Sequence, residues 1–369
     1  MIRILHVLAN LNVYSGMTGI IVNYHRFLDR ERVQFDYLYF DGGAETYEEE
    51  IRSLGGRVFR MPRPTNPAQF HRAMHAFFSG HASEFVAVQC HPIWATAVVA
   101  PYATRFGVRH LIAHSHSTGF SENRLASARN YVLARVASSR ATEWIACSEE
   151  AKRLFPGVQP DKIRVFTNGV DCERFRFDPI ERTCMRDAIG VSEHTLVLGN
   201  VGRLVPTKRQ DFLLDVMAEV LKQQPVAHLL LVGSGPLEQT LREKCESLQI
   251  GDCVSFMGLR QDVERYCSAM DCFVFPSDFE GFGLVLAEAQ ASGLPCVAKE
   301  GLPKAVTDSS LVHLMAKDAS PKAWADVIIG LCTEKRDRTV LPRPTMKERG
   351  LDIRDLAQQL SNYYEILVS

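Results

Sequence analysis

Apolar runs of strand length recur along this chain, and most are followed by a stretch with helical patterning. Residues 2–9, 35–40, 57–60, 85–89 and 111–114 read as strands, with helical segments at 20–28, 46–54 and 67–77. Such alternation implies βαβ units and a parallel sheet. Two more strands, 144–147 and 163–166, precede the turn dipeptide Asn168-Gly169. A second series follows, with strands at 196–201, 228–232, 254–257, 272–275 and 295–298 and helices at 209–223, 236–248 and 260–270. The fold class expected is α/β with two Rossmann-like, doubly wound domains. At 369 residues and 46 % hydrophobic content the chain can bury two ordinary cores.

The second series carries a segment with chemistry in it. Two carboxylates, Glu280 and Glu288, bracket the turn Gly281-Phe282-Gly283, and a Leu- and Ala-rich helix follows from Leu284. Strand, turn and helix in this order leave the N–H groups of the first helical turn, at Gly283 and Leu284, facing outward, where they attract anions. The carboxylates are anions themselves and suit sugar hydroxyls better: Glu280 over the turn, Glu288 roughly 7 Å further along the helix axis. The ligand inferred is a nucleotide-sugar. The plainer alternative, a turn-capping Glu280 and a solvated Glu288, is weakened by two neighbours. Residues 197–201 form a buried-type strand that ends at Gly202 and releases Arg203 and Lys208, a planar fork and a point charge able to converge on one diphosphate. Residues 228–232 are another strand running into the glycine turn Gly233-Ser234-Gly235.

This ordered set resembles the family 4 retaining glycosyltransferases, and most of all members that build bacterial exopolysaccharide and capsule. The resemblance covers nearly the whole chain. Glu280 and Glu288 match the E-x7-E motif and Arg203 and Lys208 the donor-phosphate pair; Asn168-Gly169-Val170-Asp171 and Ala291-Ser292-Gly293-Leu294-Pro295-Cys296-Val297 stand before the second lobe and after the motif helix. It implies the GT-B fold, with an interdomain cleft and a C-terminal helix crossing back to the first domain. The domains are then 1–176, together with 351–369, for the acceptor, and 177–350 for the nucleotide-sugar. The catalytic group implied is His116, Arg203, Lys208 and Glu280. Donor contacts are implied for Gly16, Arg203, Lys208, Gly233, Leu259, Arg260, Glu280, Gly281, Phe282, Gly283, Leu284 and Glu288, those around Gly258-Leu259-Arg260 being largely backbone contacts to the base. The family usually has two adjacent glycines and then an acid in the loop after the first strand; here Ser15 replaces one glycine and Thr18 stands at the acid.

His114-Ser115-His116-Ser117 follows a strand, and His116 matches the histidine that the family places near the transferring sugar. A structural histidine at a strand end is the plain alternative. No metal is expected, since no acidic partners cluster nearby and the family works without an obligatory divalent ion; no cofactor is expected either. Ten scattered cysteines without a Cys-x-x-Cys read as reduced, buried packing residues of a cytosolic protein. Formal charge is −1 overall, which implies no nucleic-acid partner, but residues 1–176 carry +5 and the remainder −6. A helix across 121–140 bearing Arg124, Arg129, Arg135 and Arg140 is either a solvated basic face or a contact with an anionic membrane surface or lipid-pyrophosphate acceptor. No run approaches the ~20 apolar residues of a spanning helix. Residues 333–344 read as a charged, proline-broken connector, and the apolar spacing of Ile353, Leu356, Leu360, Tyr364 and Leu367 as a last helix.

The expectation is a cytoplasmic enzyme, at the inner face of the membrane, that moves a hexosyl or N-acetylhexosaminyl unit with retention. The donor is a UDP-sugar and the acceptor a saccharide, lipid-linked, in surface polysaccharide assembly. Two alternatives stay open: a catalytically idle nucleotide-sugar-binding subunit, and a dinucleotide-dependent oxidoreductase, whose Gly-x-Gly-x-x-Gly fails because Glu238 follows Gly233-Ser234-Gly235 where the third glycine should fall.

Overall fold

Both sheets of this protein are wholly parallel. The computed structural model describes residues 1–43, 45–120, 124–333, 337–339 and 342–368, so the start of the helix expected from 121 and much of the 333–344 connector lie outside the described residues. The chain divides into two compact units, Met1–Gly169 with Ile353–Ser369, and Val170–Asp352. Boundaries read from the sequence stood at 176/177 and 350/351. Residues 170–176 group with the second unit, where Val170 donates its N–H to Leu351 O at 2.8 Å and bridges to Asp352.

In the first unit, β1 (Ile2–Asn10), β2 (Val33–Asp41), β3 (Val58–Arg60), β4 (Ala87–Cys90), β5 (His110–Ser115), β6 (Glu143–Ala146) and β7 (Ile163–Val165) pair in the order β3-β2-β1-β4-β5-β6-β7. Such strands are covered on both faces, which is why they read as unbroken apolar runs rather than alternating ones. One face packs Leu5, Val7, Leu38 and Val88 against Phe70, Met74, Phe77 and Phe78 of the helix Pro67–His81. The other is covered by the helix Gly16–Phe27 and the last helix, Ile353–Ile366, which lie against each other. That last helix buries Ile353, Leu356, Leu360, Tyr363 and Tyr364.

The second unit orders β8 (Leu196–Val201), β9 (Ala227–Val232), β10 (Val254–Gly258), β11 (Cys272–Phe275), β12 (Cys296–Lys299) and β13 (Val312–Met315) as β10-β9-β8-β11-β12-β13. Its core joins Leu198, Leu229, Leu231 and Val274 to Leu213, Val216 and Trp324. In each sheet the winding reverses once, between β1 and β4 and between β8 and β11. Ligands of open α/β sheets gather outside the carboxyl ends of the strands at such a reversal.

Sequence reading passed over β13, the helix Ile93–Arg105 with Pro101 inside it, and the helix Pro321–Thr333. β13 is a short edge strand with two exposed middle residues, and its apolar run is only four residues long and broken by His313. The proline-rich 342–344 opens a helix, Pro342–Glu348, rather than breaking one. Proline suits a first helical turn, whose N–H groups have no intrahelical partner. Most cysteines are buried, as packing residues would be, but Cys184 is exposed. Among the described residues no helix is long and apolar enough to cross a membrane.

Candidate functional site

Lys208 and Glu280 meet at the reversal of the second sheet. Lys208 ends the short 3-10 turn after β8, and Glu280 lies in the loop after β11; Lys208 Nζ donates to Glu280 Oε1 at 2.5 Å. Both side chains are largely buried, at 21 % and 10 % exposure, so solvent screens the pair less than it would a surface ion pair. The lysine stem runs along Gly202, and its ammonium sits 5.6 Å from the Phe275 ring centroid. Two further links tie the same loops together: Asp278 N donates to Thr207 O at 2.9 Å, and Arg209 Nη1 lies 3.5 Å from Asp278 Oδ2. Lys299 also pairs with Asp278.

Arg203 is exposed in the loop after β8. Gly233 begins the loop after β9 at φ +134°, its N–H donating to Gly258 O at 2.8 Å. A Cβ there would fall 2.0 Å from Gly202 O, so the close approach of the two loops requires glycine. Leu259 and Arg260 are exposed beyond β10. Gly283, at φ +87°, opens the helix Leu284–Ala291, while Phe282 beside it is buried and Gly281 and Leu284 are partly exposed. The helix has no side-chain cap, and the N–H groups of a first turn have no intrahelical partner. Arg203, Lys208, Gly233, Leu259, Arg260, Glu280, Gly281, Phe282, Gly283 and Leu284 therefore all sit in loops, or at the helix start, beyond strands β8, β9, β10 and β11.

Glu288 is one turn inside that helix and half-buried. Burial pushes its carboxyl up to about 7; Arg174 opposes the shift and Glu264 adds to it. Arg174 is itself paired with Glu264 at 2.9 Å. Near neutrality Glu288 is thus a mixture of acid and carboxylate, and its acid form can both donate and accept a hydrogen bond.

The remaining two site residues belong to the first unit. Gly16 opens the helix Gly16–Phe27, with nothing within 4 Å of where a Cβ would lie. Ser15 is its N-cap, accepting from Thr18 N at 3.4 Å, and buried Thr18 donates its hydroxyl to Asn10 O at 2.9 Å. His116, just past β5, contacts His91 Nδ1 through Nε2 at 2.8 Å; burial lowers its pKa to about 3. It helps to line a cavity of about 260 Å³ together with Met17, Trp94, Ser117 and Phe120.

A family model described as "Glycosyl transferases group 1" matches residues 195–334, and one described as "Glycosyltransferase Family 4" matches 14–174. EpsF of Bacillus subtilis (strain 168) is 31 % identical over 99 % of this chain and 96 % of its own. A GDP-mannose-dependent alpha-(1-6)-phosphatidylinositol monomannoside mannosyltransferase of Mycolicibacterium smegmatis is 30 % identical over 72 % of each chain. The chain belongs to glycosyltransferase family 4. The crystal structure of Anabaena HepE with UDP and glucose shares its fold, with a TM-score of 0.82 and 22 % identity over 99 % of this chain and 100 % of that one. The two parallel sheets are those of the GT-B fold, and the activity is glycosyl transfer.

Against the usual family 4 loop, the two departures have local explanations: Ser15 supplies a helix cap, and Thr18 closes a hydrogen bond inside the loop. Sequence reading missed Arg209, Asp278 and Lys299, which lock the two loops of the second unit. Arg209 takes the left-handed φ of +53° that non-glycine residues seldom adopt, and no pattern of residue types announces that. His91 was missed for another reason. It follows a strand far from His116 in sequence, and only the pairing of β4 with β5 brings them together.

Proposed function

We propose that this family 4 glycosyltransferase moves a hexosyl or N-acetylhexosaminyl unit from a UDP-sugar to a hydroxyl of a lipid-linked saccharide, with retention, in bacterial surface polysaccharide assembly. The observation that carries the reading is the Lys208–Glu280 pair at the sheet reversal, beside the Gly233 turn and the uncapped helix start at Gly283. In the proposed mechanism Lys208, Arg203 and the N–H groups of Gly283 and Leu284 hold the diphosphate and stabilise the charge that develops on it as the glycosidic bond breaks. Donor phosphate then draws Lys208 away from Glu280, freeing that carboxylate to accept from hydroxyls of the sugar. Glu288 takes the ribose, its acid form suiting a diol that both donates and accepts. Leu259 and Arg260 border the base through their backbone. Gly16 keeps its loop free of a side chain for a donor contact, and His116, kept neutral by burial, orients a sugar hydroxyl. Attack on the same face from which the diphosphate leaves accounts for retention without a protein nucleophile.

Uracil is favoured by the UDP in the HepE structure. A GDP-mannose donor is the second reading, favoured by the named activity of the mycobacterial relative. The membrane-facing element is the helix Arg124–Arg140, where Tyr131 and Val132 are 46 % and 60 % exposed beside exposed Arg129 and Arg135. Apolar side chains flanked by guanidinium groups suit an anionic bilayer surface at the inner face of the membrane. The deciding experiment offers purified enzyme UDP-glucose, UDP-GlcNAc and GDP-mannose with a lipid-linked acceptor pool and reads the product by mass spectrometry and the anomeric coupling by NMR. Consumption of a UDP-sugar and an anomer matching the donor are expected. Turnover of GDP-mannose alone replaces the base, an inverted anomer removes retention, and binding without turnover leaves the idle-subunit reading.

A further inference from the structure

His91, His114 and His116 can each offer a ring nitrogen such that the three atoms lie within 4.8 Å of one another. In-register pairing of β4 and β5 produces this. Cys90 lies opposite Ala113, so His91, His114 and His116 gather at the carboxyl ends of two neighbouring strands. We propose that these imidazoles bind a borderline-soft divalent metal ion of the Zn²⁺ class, His91 through Nδ1 and His114 and His116 through Nε2. An all-imidazole donor set favours late first-row metals over Mg²⁺ or Ca²⁺, which want oxygen.

Two of the three imidazoles, His91 and His114, have the surroundings of metal ligands. A metal-binding imidazole almost always engages its other nitrogen with an outer partner. His91 Nε2 lies 2.8 Å from His6 Nδ1, and His114 Nδ1 lies 2.9 Å from the Gln89 amide, whose oxygen accepts from the Tyr364 hydroxyl at 2.6 Å. With that amide turned over, Gln89 accepts from His114 Nδ1–H and donates to Tyr364. The nitrogen left for the metal, His114 Nε2, is buried and has no hydrogen-bond partner among the described residues. His91 Nδ1 and His116 Nε2 face each other at 2.8 Å, and a tetrahedral ion with metal–nitrogen bonds of ~2.1 Å sets adjacent ligands roughly 3.4 Å apart, so the two rings must part by about 0.6 Å to admit it. Binding replaces that hydrogen bond, and its proton moves to His116 Nδ1, which is buried and has no hydrogen-bond partner among the described residues. Further positions open onto the cavity that His91, His116, Ser115 and Ser117 line, where water can complete the coordination.

Sequence reading expected no metal because it saw only the His114 and His116 pair and looked for acids; the third imidazole arrives from another strand. The site lies in the first unit and shares His116 with the transfer reading, but its test measures metal binding without donor or transfer, so the two can fail separately. The test titrates full-length, tag-free protein, stripped with EDTA, with Zn²⁺ by calorimetry and with Co²⁺ by visible absorption. One ion per chain is expected, in the micromolar range or tighter, with weak d–d bands and no thiolate charge transfer. His91→Gln and His114→Gln should each weaken binding by roughly tenfold to a hundredfold. Absence of binding, unchanged affinity in both variants, or thiolate bands that assign the ion to cysteine such as exposed Cys184 would overturn the proposal. Where a variant fails to fold by circular dichroism, the wild-type cobalt spectrum decides.

Discussion

Lys208 and Glu280 hold each other, and both are needed in the proposed chemistry. Lys208→Ala removes a charge aimed at the leaving group and one partner of the largely buried Glu280 carboxylate. Transfer should fall by about 10²–10³-fold, as when one preorganised donor is removed, with the circular dichroism spectrum unchanged. A progress curve at saturating donor checks it, and full activity would remove Lys208 from the site. Glu288 makes a prediction of opposite character. Its pKa in the folded chain, about 7, lies above the ordinary 4.5, so the folded state binds the proton more tightly than the unfolded state does. Between those two values stability falls as pH rises. Glu288→Gln removes that penalty: it should raise the melting temperature at pH 8, by on the order of 2 kcal/mol in stability, and leave it nearly unchanged at pH 4. Thermal melts at the two pH values read the difference. The placement of Arg203 and Lys208 after a strand, and of Glu280 and Glu288 around a turn and in the helix behind it, was legible in the sequence because strand, turn and helix patterns are local. The Lys208–Glu280 contact was not legible, since their strands must first pair as β8 and β11.

Among the elements, the turns after β8 and β9 are built around each other. Leu204 N donates to Ser234 O at 3.0 Å, and an added Cβ at Gly235 would lie 2.4 Å from Leu204 O. Gly233→Ala would drive a methyl group into Gly202 O and strain a backbone at φ +134°, which must displace the loop that carries Arg203 and Lys208. A loss of about 2–4 kcal/mol in urea unfolding is expected, in the range of buried steric and backbone defects. Donor affinity, measured by calorimetry with UDP, should fall with it. Strand positions were readable here because fully covered parallel strands are apolar throughout. β13 and the helix Ile93–Arg105 were not, one because its apolar run is short and broken by His313, the other because Pro101 suggests a break that the surrounding packing overrides.

Across the whole molecule, the last helix returns after the entire second unit to close the first. Tyr364 donates to Gln89 Oε1 across 275 positions of sequence, and it is buried against the histidine-bearing face of the sheet, its ring 6.4 Å from that of His6. Tyr364→Phe leaves the buried Gln89 amide without that partner. It should cost about 1–3 kcal/mol, seen as a lower urea midpoint for the transition of the first unit while that of the second stays in place. Equal shifts in both transitions, or none, would contradict this account. By itself the sequence determined the alternation of strand and helix, the two-unit count and the polar residues that end each strand, because periodicity and turn chemistry are local. Tertiary structure alone decided which strand ends become neighbours. Lys208 meets Glu280, and His91 meets His116, only after parallel pairing fixes strand order and register, and contacts that depend on pairing over long sequence separations leave no local trace.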